Sequence, residues 1–219
     1  MRDNDISGIV GGMGYYATNF FIRRIIELTG AKKEWDNPNI IVHYNPTIPS
    51  RTRALLYGEE SPADGTINCI NNLTKLGVKR VYIPCNSMHY WYKEVSRKIS
   101  IPWVNLLKSI KADGKSLILG AYATIKMGLY DKYLDTIYLS RLDEKKVYNL
   151  IEMLKVNETQ IIKKELHKIL KNYCADNIIL ACTELSMAFS LDEKEFGGKN
   201  LIDSTTEYAS RFVLDVKGE

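Results

Sequence analysis

VYIPCNS (Val81–Ser87) and IILACTE (Ile178–Glu184) are the two stretches on which the fold turns. Each is an apolar run, then a proline or small residue, then Cys, then a small polar residue. A short continuous apolar run of this kind suits a strand buried on both faces, as in a parallel sheet. Each run then hands over to a helix-like segment, so Cys85 and Cys182 stand where open α/β sheets gather their ligands. A second pair repeats upstream of each: GIVGGMGYYAT (Gly8–Thr18) and LILGAYAT (Leu117–Thr124) are strands that break into glycine and then Ala-Thr. Two similar lobes related by a pseudo-two-fold axis are expected, with both thiols aimed at one cleft between them.

Working outward, strands alternate with helices. ISGIVGG is a strand. YYATNFFIRRIIELTG has helical spacing and stops at Gly30. NPNIIVHYNP is a strand between prolines. SPADGTINCINNLTKLG is a helix with Ser61 as N-cap and Gly77 at its end. VKRVYIPCN is a strand, SMHYWYKEVSRKI a helix and IPWVNLL a short strand. In the second half, KSLILGAYATIK is a strand running into a turn, and TIYLSRL is a strand. EKKVYNLIEMLKVN and ETQIIKKELHKILKNY are helices, ADNIILACTEL is a strand, and NLIDSTTEYASRFVLDV is a strand and helix. The pattern predicts an α/β fold of two lobes with mainly parallel sheets flanked by helices. The expected division is residues 1–105 with 203–219, and residues 106–202.

Composition narrows the function classes. The 219 residues are 45% hydrophobic and 26% charged, with a net charge of +4. The lysines are scattered, and Lys163, Lys164, Lys168 and Lys171 recur as a solvated helical face, so no nucleic-acid partner is expected. No stretch reaches the ~18 apolar residues of a membrane span. The N-terminus lacks a signal peptide's apolar core, which points to the cytoplasm. Cys69, Cys85, Cys174 and Cys182 form no C-x-x-C pair and read as free thiols. The three histidines lie far apart, so no metal site is expected.

Two opposed thiols have a specific use. Inverting a stereocentre beside a carboxylate requires removing a proton from one face and returning one to the other. A free Cys has a pKa near ~8.5, so thiolate and thiol coexist near neutral pH as base and acid. The start of the following helix adds a favourable field. A space-filling role for each Cys alone is weakened by the matched placement.

GIVGGMGYYAT, IPSRT, IPCNSMH, ILACTEL and LIDSTTEYA together resemble the aspartate/glutamate racemase superfamily, above all its aspartate racemase branch. The likeness runs from Gly8 to about Ala209. It implies a cofactor-independent amino-acid racemase, usually a homodimer, with the active site between two α/β lobes. Cys85 and Cys182 match the catalytic cysteines, and Arg51 matches the arginine that holds an acidic side chain. An acidic amino acid is the implied substrate, aspartate ahead of glutamate. Thr124 matches the family's Ala-Thr turn and Lys155 a family lysine. The glycine-rich segment puts Met13 at the ligand. Asn86, Ser87 and Thr183, with their backbone N–H groups, suit an α-carboxylate. Glu184 suits the ammonium group or a neighbouring side chain, or else simply stabilises a helix start.

Other residues have plainer readings. Arg53 is the surface alternative to Arg51. His89, one turn beyond Cys85, reads as a locally hydrogen-bonded histidine. Tyr90, Trp91 and Tyr92 read as packing or dimer surface. The chain departs from the family pattern at Tyr15, Ser87, Met88 and Ala121, and Ile151 stands where a tyrosine is expected. A superfamily decarboxylase or isomerase is the first alternative, but a decarboxylase needs only one thiol. A catalytically silent small-molecule-binding protein is the second, and the intact cysteines argue against it.

Overall fold

The structure, a computed structural model, describes residues 5–155 and 161–218, the side chain of Lys155 excepted. One sheet holds β1 (Ile6–Gly11), β2 (Ile40–Tyr44) and β3 (Val78–Tyr82), parallel, in the order β2-β1-β3. Trp103 adds a parallel bridge to Val81 on the far side of β3. The other sheet holds β4 (Lys115–Gly120), β5 (Asp135–Ile137), β6 (Asn177–Ala181), β7 (Glu195–Phe196) and β8 (Lys199–Asp203) in the order β5-β4-β6-β8-β7. Among the described residues, only the β7–β8 pair is antiparallel. Matching β1 to β4, β2 to β5, β3 to β6 and the Trp103 bridge to β8 makes the two orders coincide. The internal repeat read from the sequence is thus a repeat of topology.

The helices are α1 (Tyr15–Thr29), α2 (Arg51–Tyr57), α3 (Ala63–Lys75), α4 (Tyr92–Ser96), α5 (Tyr122–Lys126), α6 (Arg141–Lys155), α7 (Ile162–Leu170) and α8 (Ser204–Lys217). α1 buries Ala17, Phe21 and Ile25, one stripe at helical spacing, and ends on the left-handed Gly30. The three apolar clusters explain the arrangement. One packs β3 against α3 through Ile70, Leu73 and Val81, and another packs β6 against α6 and α7 through Leu150, Leu166 and Leu180. The third is shared: Ile9 and Tyr82 of the first sheet meet Ile118 and Ile179 of the second, with Tyr208 and Phe212 of α8 between them. Burying an aromatic of this size is worth about 3 kcal/mol.

After leaving the second sheet, α8 lies along α1. Its polar contacts fix the seam. Tyr208 Oη accepts the Ile83 N–H at 3.1 Å and donates to the Val104 carbonyl, while Tyr82 Oη donates to Asp215 at 2.7 Å. Asp203 caps α8, accepting from the N–H groups of Thr205 and Thr206.

Several local expectations are corrected. SMHYWYKEVSRKI is not one helix: a 3₁₀ segment, Ser87–Trp91, precedes the short α4. IPWVNLL contributes only the Trp103 bridge, because Asn105 accepts the Lys108 N–H and turns the chain into a 3₁₀ segment, Leu106–Ser109. TIYLSRL is a strand only to Ile137, and α6 starts at Arg141. α7 ends at Leu170 rather than at Tyr173, and Cys174 is an exposed loop thiol. α2 was not anticipated; Ser50 caps it by accepting the Arg53 N–H. The N-cap of α3 is Pro62 rather than Ser61, although Ser61 Oγ accepts the Ala63 N–H at 3.2 Å from one residue further out. No described helix is long and apolar enough to cross a membrane.

Candidate active site

Both thiol turns share one backbone design. The Met88 N–H bonds the Cys85 carbonyl at 3.2 Å, and the Leu185 N–H bonds the Cys182 carbonyl at 3.0 Å. Each thus opens a 3₁₀ segment, Ser87–Trp91 after Cys85 and Leu185–Ala188 after Cys182. The first N–H groups of a helical segment lack partners within it, so both turns present donors beside a thiol. Cys85 and Cys182 are free and equally exposed, at 7% each. They line one cavity of about 80 Å³ between the lobes.

That cavity gathers Met13, Arg51, Asn86, Ser87, Thr124, Thr183 and Glu184, every candidate residue whose side chain is described. The side chain of Lys155 lies outside the described residues. Arg51 stands at the start of α2. Its Nη1 donates to the Pro49 carbonyl at 3.2 Å and its Nη2 to the Met13 carbonyl at 3.3 Å. Its Nε is buried without a partner. Among the described residues, no carboxylate lies within ion-pair distance of Arg51, whereas Arg53 is spent on Glu59 at the surface. Thr124 Oγ1 is also buried and unpartnered. Its counterpart Thr18 is satisfied by the Gly14 carbonyl at 2.8 Å. Buried orphan polar atoms are uncommon; these two belong to cleft-lining residues, while Arg24 Nε, Ser96 Oγ and Trp103 Nε1 are orphaned away from the cleft.

Asn86 lines the cleft, yet its carboxamide already serves as a strut. Tyr130 Oη donates to its Oδ1, and its Nδ2 donates to Ser204 Oγ at 3.2 Å. The strut pins the Cys85 turn to the second lobe and to α8. His89 pins it from behind. Its Nε2 accepts the Leu106 N–H at 3.0 Å, so the proton is on Nδ1, which donates to the Cys85 carbonyl at 2.9 Å. Burial holds this imidazole down to a pKa of about 4 and keeps it neutral. His89 is therefore a structural histidine.

The glycine-rich segment makes room for protein rather than for open space. At Gly12, φ is +91° and an added Cβ would stand 2.6 Å from the Asn45 backbone. At Gly14, φ is +120° and a Cβ would stand 2.7 Å from Glu184 Oε1, across the cleft. Glu184 is buried, and its Oε2 accepts from Cys182 Sγ at 3.1 Å and from Thr183 Oγ1 at 3.2 Å. Burial first, then the Glu184 carboxylate, push the Cys182 thiol well above its ordinary pKa.

A model of the Asp/Glu/Hydantoin racemase family matches residues 10–211. The chain belongs to that family. It is 28% identical to the broad specificity amino-acid racemase RacX of Bacillus subtilis, over 94% of this chain and 96% of that protein. Picrophilus torridus aspartate racemase superposes with a TM-score of 0.86 at 27% identity, over 98% of this chain and 95% of that one. An aspartate racemase homologue from Pyrococcus horikoshii superposes at 0.75 with 20% identity, over 99% and 100%, a likeness of fold.

Seen as a racemase-family cleft, the pocket contains residues that the sequence reading passed over: Ser50 and Thr52 flank Arg51, and Tyr148 and Glu152 project from α6. Ile151 also lines it, and is only 1% exposed because most of it packs into the second lobe's core. The expected tyrosine is not missing from this wall. Tyr148, one helical turn before Ile151 and Glu152, supplies a phenol there. Helical spacing from Lys155 offered that signal, since positions 148, 151, 152 and 155 share a face.

Proposed function

We propose that this chain interconverts the L and D forms of an amino acid by proton transfer between Cys85 and Cys182, without an added cofactor. The observation that carries this is two free thiols on symmetry-related turns, facing one cleft. One sulfur, as thiolate, takes the α-proton. The other, as thiol, delivers a proton to the opposite face, so charge and protons balance over the turnover. The costly species is the α-carbanion beside a carboxylate. The N–H groups opening the two 3₁₀ segments, with the Ser87 and Thr183 hydroxyls, are the donors we assign to that carboxylate.

Our substrate reading is an acidic amino acid, aspartate ahead of glutamate. Arg51 supports it: the guanidinium lines the cleft, is met among the described residues only by two carbonyls and by no carboxylate, and a distal carboxylate is its natural partner. The small cavity favours a short side chain. A wider substrate range is the second reading. The Glu152 carboxylate in the same cleft and the relative described as of broad specificity favour it.

Incubation with each common L-amino acid in D₂O, followed by NMR and chiral analysis, tests both. Exchange and inversion confined to aspartate and glutamate support the first reading. Inversion of many amino acids supports the second, and no exchange with any removes both. Activity should survive dialysis against chelator and show no pyridoxal Schiff-base absorbance. The reading includes a homodimer, supported by the half-exposed Tyr15, Tyr16 and Tyr90, and a cytoplasmic setting, supported by free thiols. It also includes a lobe division at 1–105 with 203–219 and 106–202, supported by the packing of α8 on α1.

A further inference from the structure

The two turns are unequal at one atom. Beside Cys85 Sγ stands the Ser87 hydroxyl at 3.6 Å, a group able to donate to a thiolate. At the equivalent position beside Cys182 Sγ stands the Glu184 carboxylate at 3.1 Å, a group able only to accept. A thiolate at Cys182 would face that anion without a proton between them.

From this we infer that Glu184 is a positioning residue that keeps the proton on Cys182, so that the resting enzyme holds Cys85 as base and Cys182 as acid. The inference rests on the racemase reading for its catalytic meaning, but the difference between the thiols does not. In the turnover that starts from this state, Cys85 thiolate takes the α-proton and becomes a thiol. Cys182 gives its proton to the opposite face and becomes a thiolate. The resting state returns by proton exchange with solvent.

The placement of Glu184 is built, not incidental. Its carboxylate crosses from the second lobe to Gly14 at the start of α1. That helix has no capping side chain and no acidic residue in its first turn, and the side chain nearest a Cβ at its N-cap, ahead of its own Ala17, is the Glu184 carboxylate from the other lobe. Thr183 Oγ1 donates to the same oxygen that accepts the Cys182 S–H hydrogen bond.

The other groups that bear on Cys182 do not reproduce this effect. Cys85 faces it across the cleft, and as a thiolate it acts in the same direction as Glu184 but as a lesser cause. Tyr130 is a buried phenol held protonated, with Asp203 behind it and Asp203 itself spent on Ser186 and the start of α8. Arg51 and Glu152 stand on the cleft wall without a bond to either sulfur among those described.

The test reads the thiols directly. Full-length protein is alkylated with iodoacetamide from pH 6 to 10, and modification of the Cys85 and Cys182 peptides is followed by mass spectrometry. Cys85 and Cys182 are each 7% exposed as residues in one cleft, and the midpoint of each rate–pH profile separates a thiol's ionisation from its access. In the wild type, Cys85 should react roughly tenfold faster than Cys182 at pH 7.5, since the rate follows the thiolate fraction. Glu184→Gln keeps the side chain's shape and removes its charge. It should raise the Cys182 rate roughly tenfold at pH 8 and leave Cys85 within about twofold, by the same relation. Cys182 reacting as fast as Cys85 in the wild type, or an unchanged Cys182 profile in a folded Glu184→Gln protein, overturns the assignment. If that variant does not fold, the wild-type order alone decides. Unequal thiols in a protein that exchanges no α-proton would leave this inference standing and remove the racemase reading.

Discussion

The turn after β3 and the turn after β6 have the same backbone and different anchors. His89 ties the first to the Leu106 N–H with a neutral ring. At the corresponding place in the second, Ser186 bonds Asp203 and Thr205 at the start of α8. Asn86 in the first reaches Tyr130 and Ser204, whereas Thr183 in the second stays on its own turn with Glu184. Duplication thus supplies two thiols in mirrored places, and the residues around each decide what each thiol does. Symmetric geometry suits a reaction that must run in both directions. Unequal surroundings suit one that needs an acid and a base at once.

The largest test of the comparison removes one sulfur at a time. Cys85→Ala and Cys182→Ala should each lower racemisation by about 10³-fold or more, the scale of a lost general acid or base. Each single variant should retain some α-proton exchange, without inversion, in the one enantiomer whose proton faces the remaining thiol. NMR in D₂O on separate L and D samples reads this, and wild-type inversion by either variant would break the two-base comparison.

Next in size is Arg51. Its loss should lower kcat/KM for an acidic substrate by roughly 10²-fold, since a charged hydrogen-bonded pair is worth about 2–3 kcal/mol. A neutral amino acid should lose far less. Equal losses would mean that Arg51 serves only the Pro49 and Met13 carbonyls.

The anchors themselves differ in pH response. His89 has a folded pKa of about 4, below its ordinary value of ~6.5, so the unfolded chain takes the proton first as pH falls. Its stabilisation is intact above about pH 6.5 and is lost between there and about pH 4, amounting to about 3 kcal/mol. His89→Asn should flatten that limb in denaturant melts, while Ser186→Ala should leave it unchanged. A wild-type melt indifferent to pH between 7 and 4 would contradict the buried neutral ring.

The smallest effects belong to the remaining thiols. Cys174→Ala should be silent in activity and stability because the thiol is exposed in a loop. Cys69→Ala should spare activity and cost about 1 kcal/mol of stability, since Cys69 Sγ is buried and accepts from Asn45 Nδ2 at 3.3 Å. Activity loss in either would mean that the cleft is not confined to Cys85 and Cys182.

Sequence by itself determined the alternation of strands and helices, the internal repeat and the two thiols at strand ends. Those features follow from local periodicity and from turn residues such as Gly30 and Gly77, whose effects reach only a few positions along the chain. It also led to Arg51 and to the racemase likeness. Tertiary structure decided the rest. It broke the helix after Cys85, because His89 and Asn86 are held by Leu106, Tyr130 and Ser204, partners from later segments. It ended α7 before Cys174 and turned Tyr148 and Glu152 toward the cleft. It brought Glu184 to Gly14, so that the glycine-rich segment makes room for a carboxylate as well as placing Met13 at the cleft. The physical reason is range. A strand or helix is written in neighbours two to four residues apart, whereas the surroundings of each sulfur are set where two lobes meet, by side chains brought together only when the shared core closes.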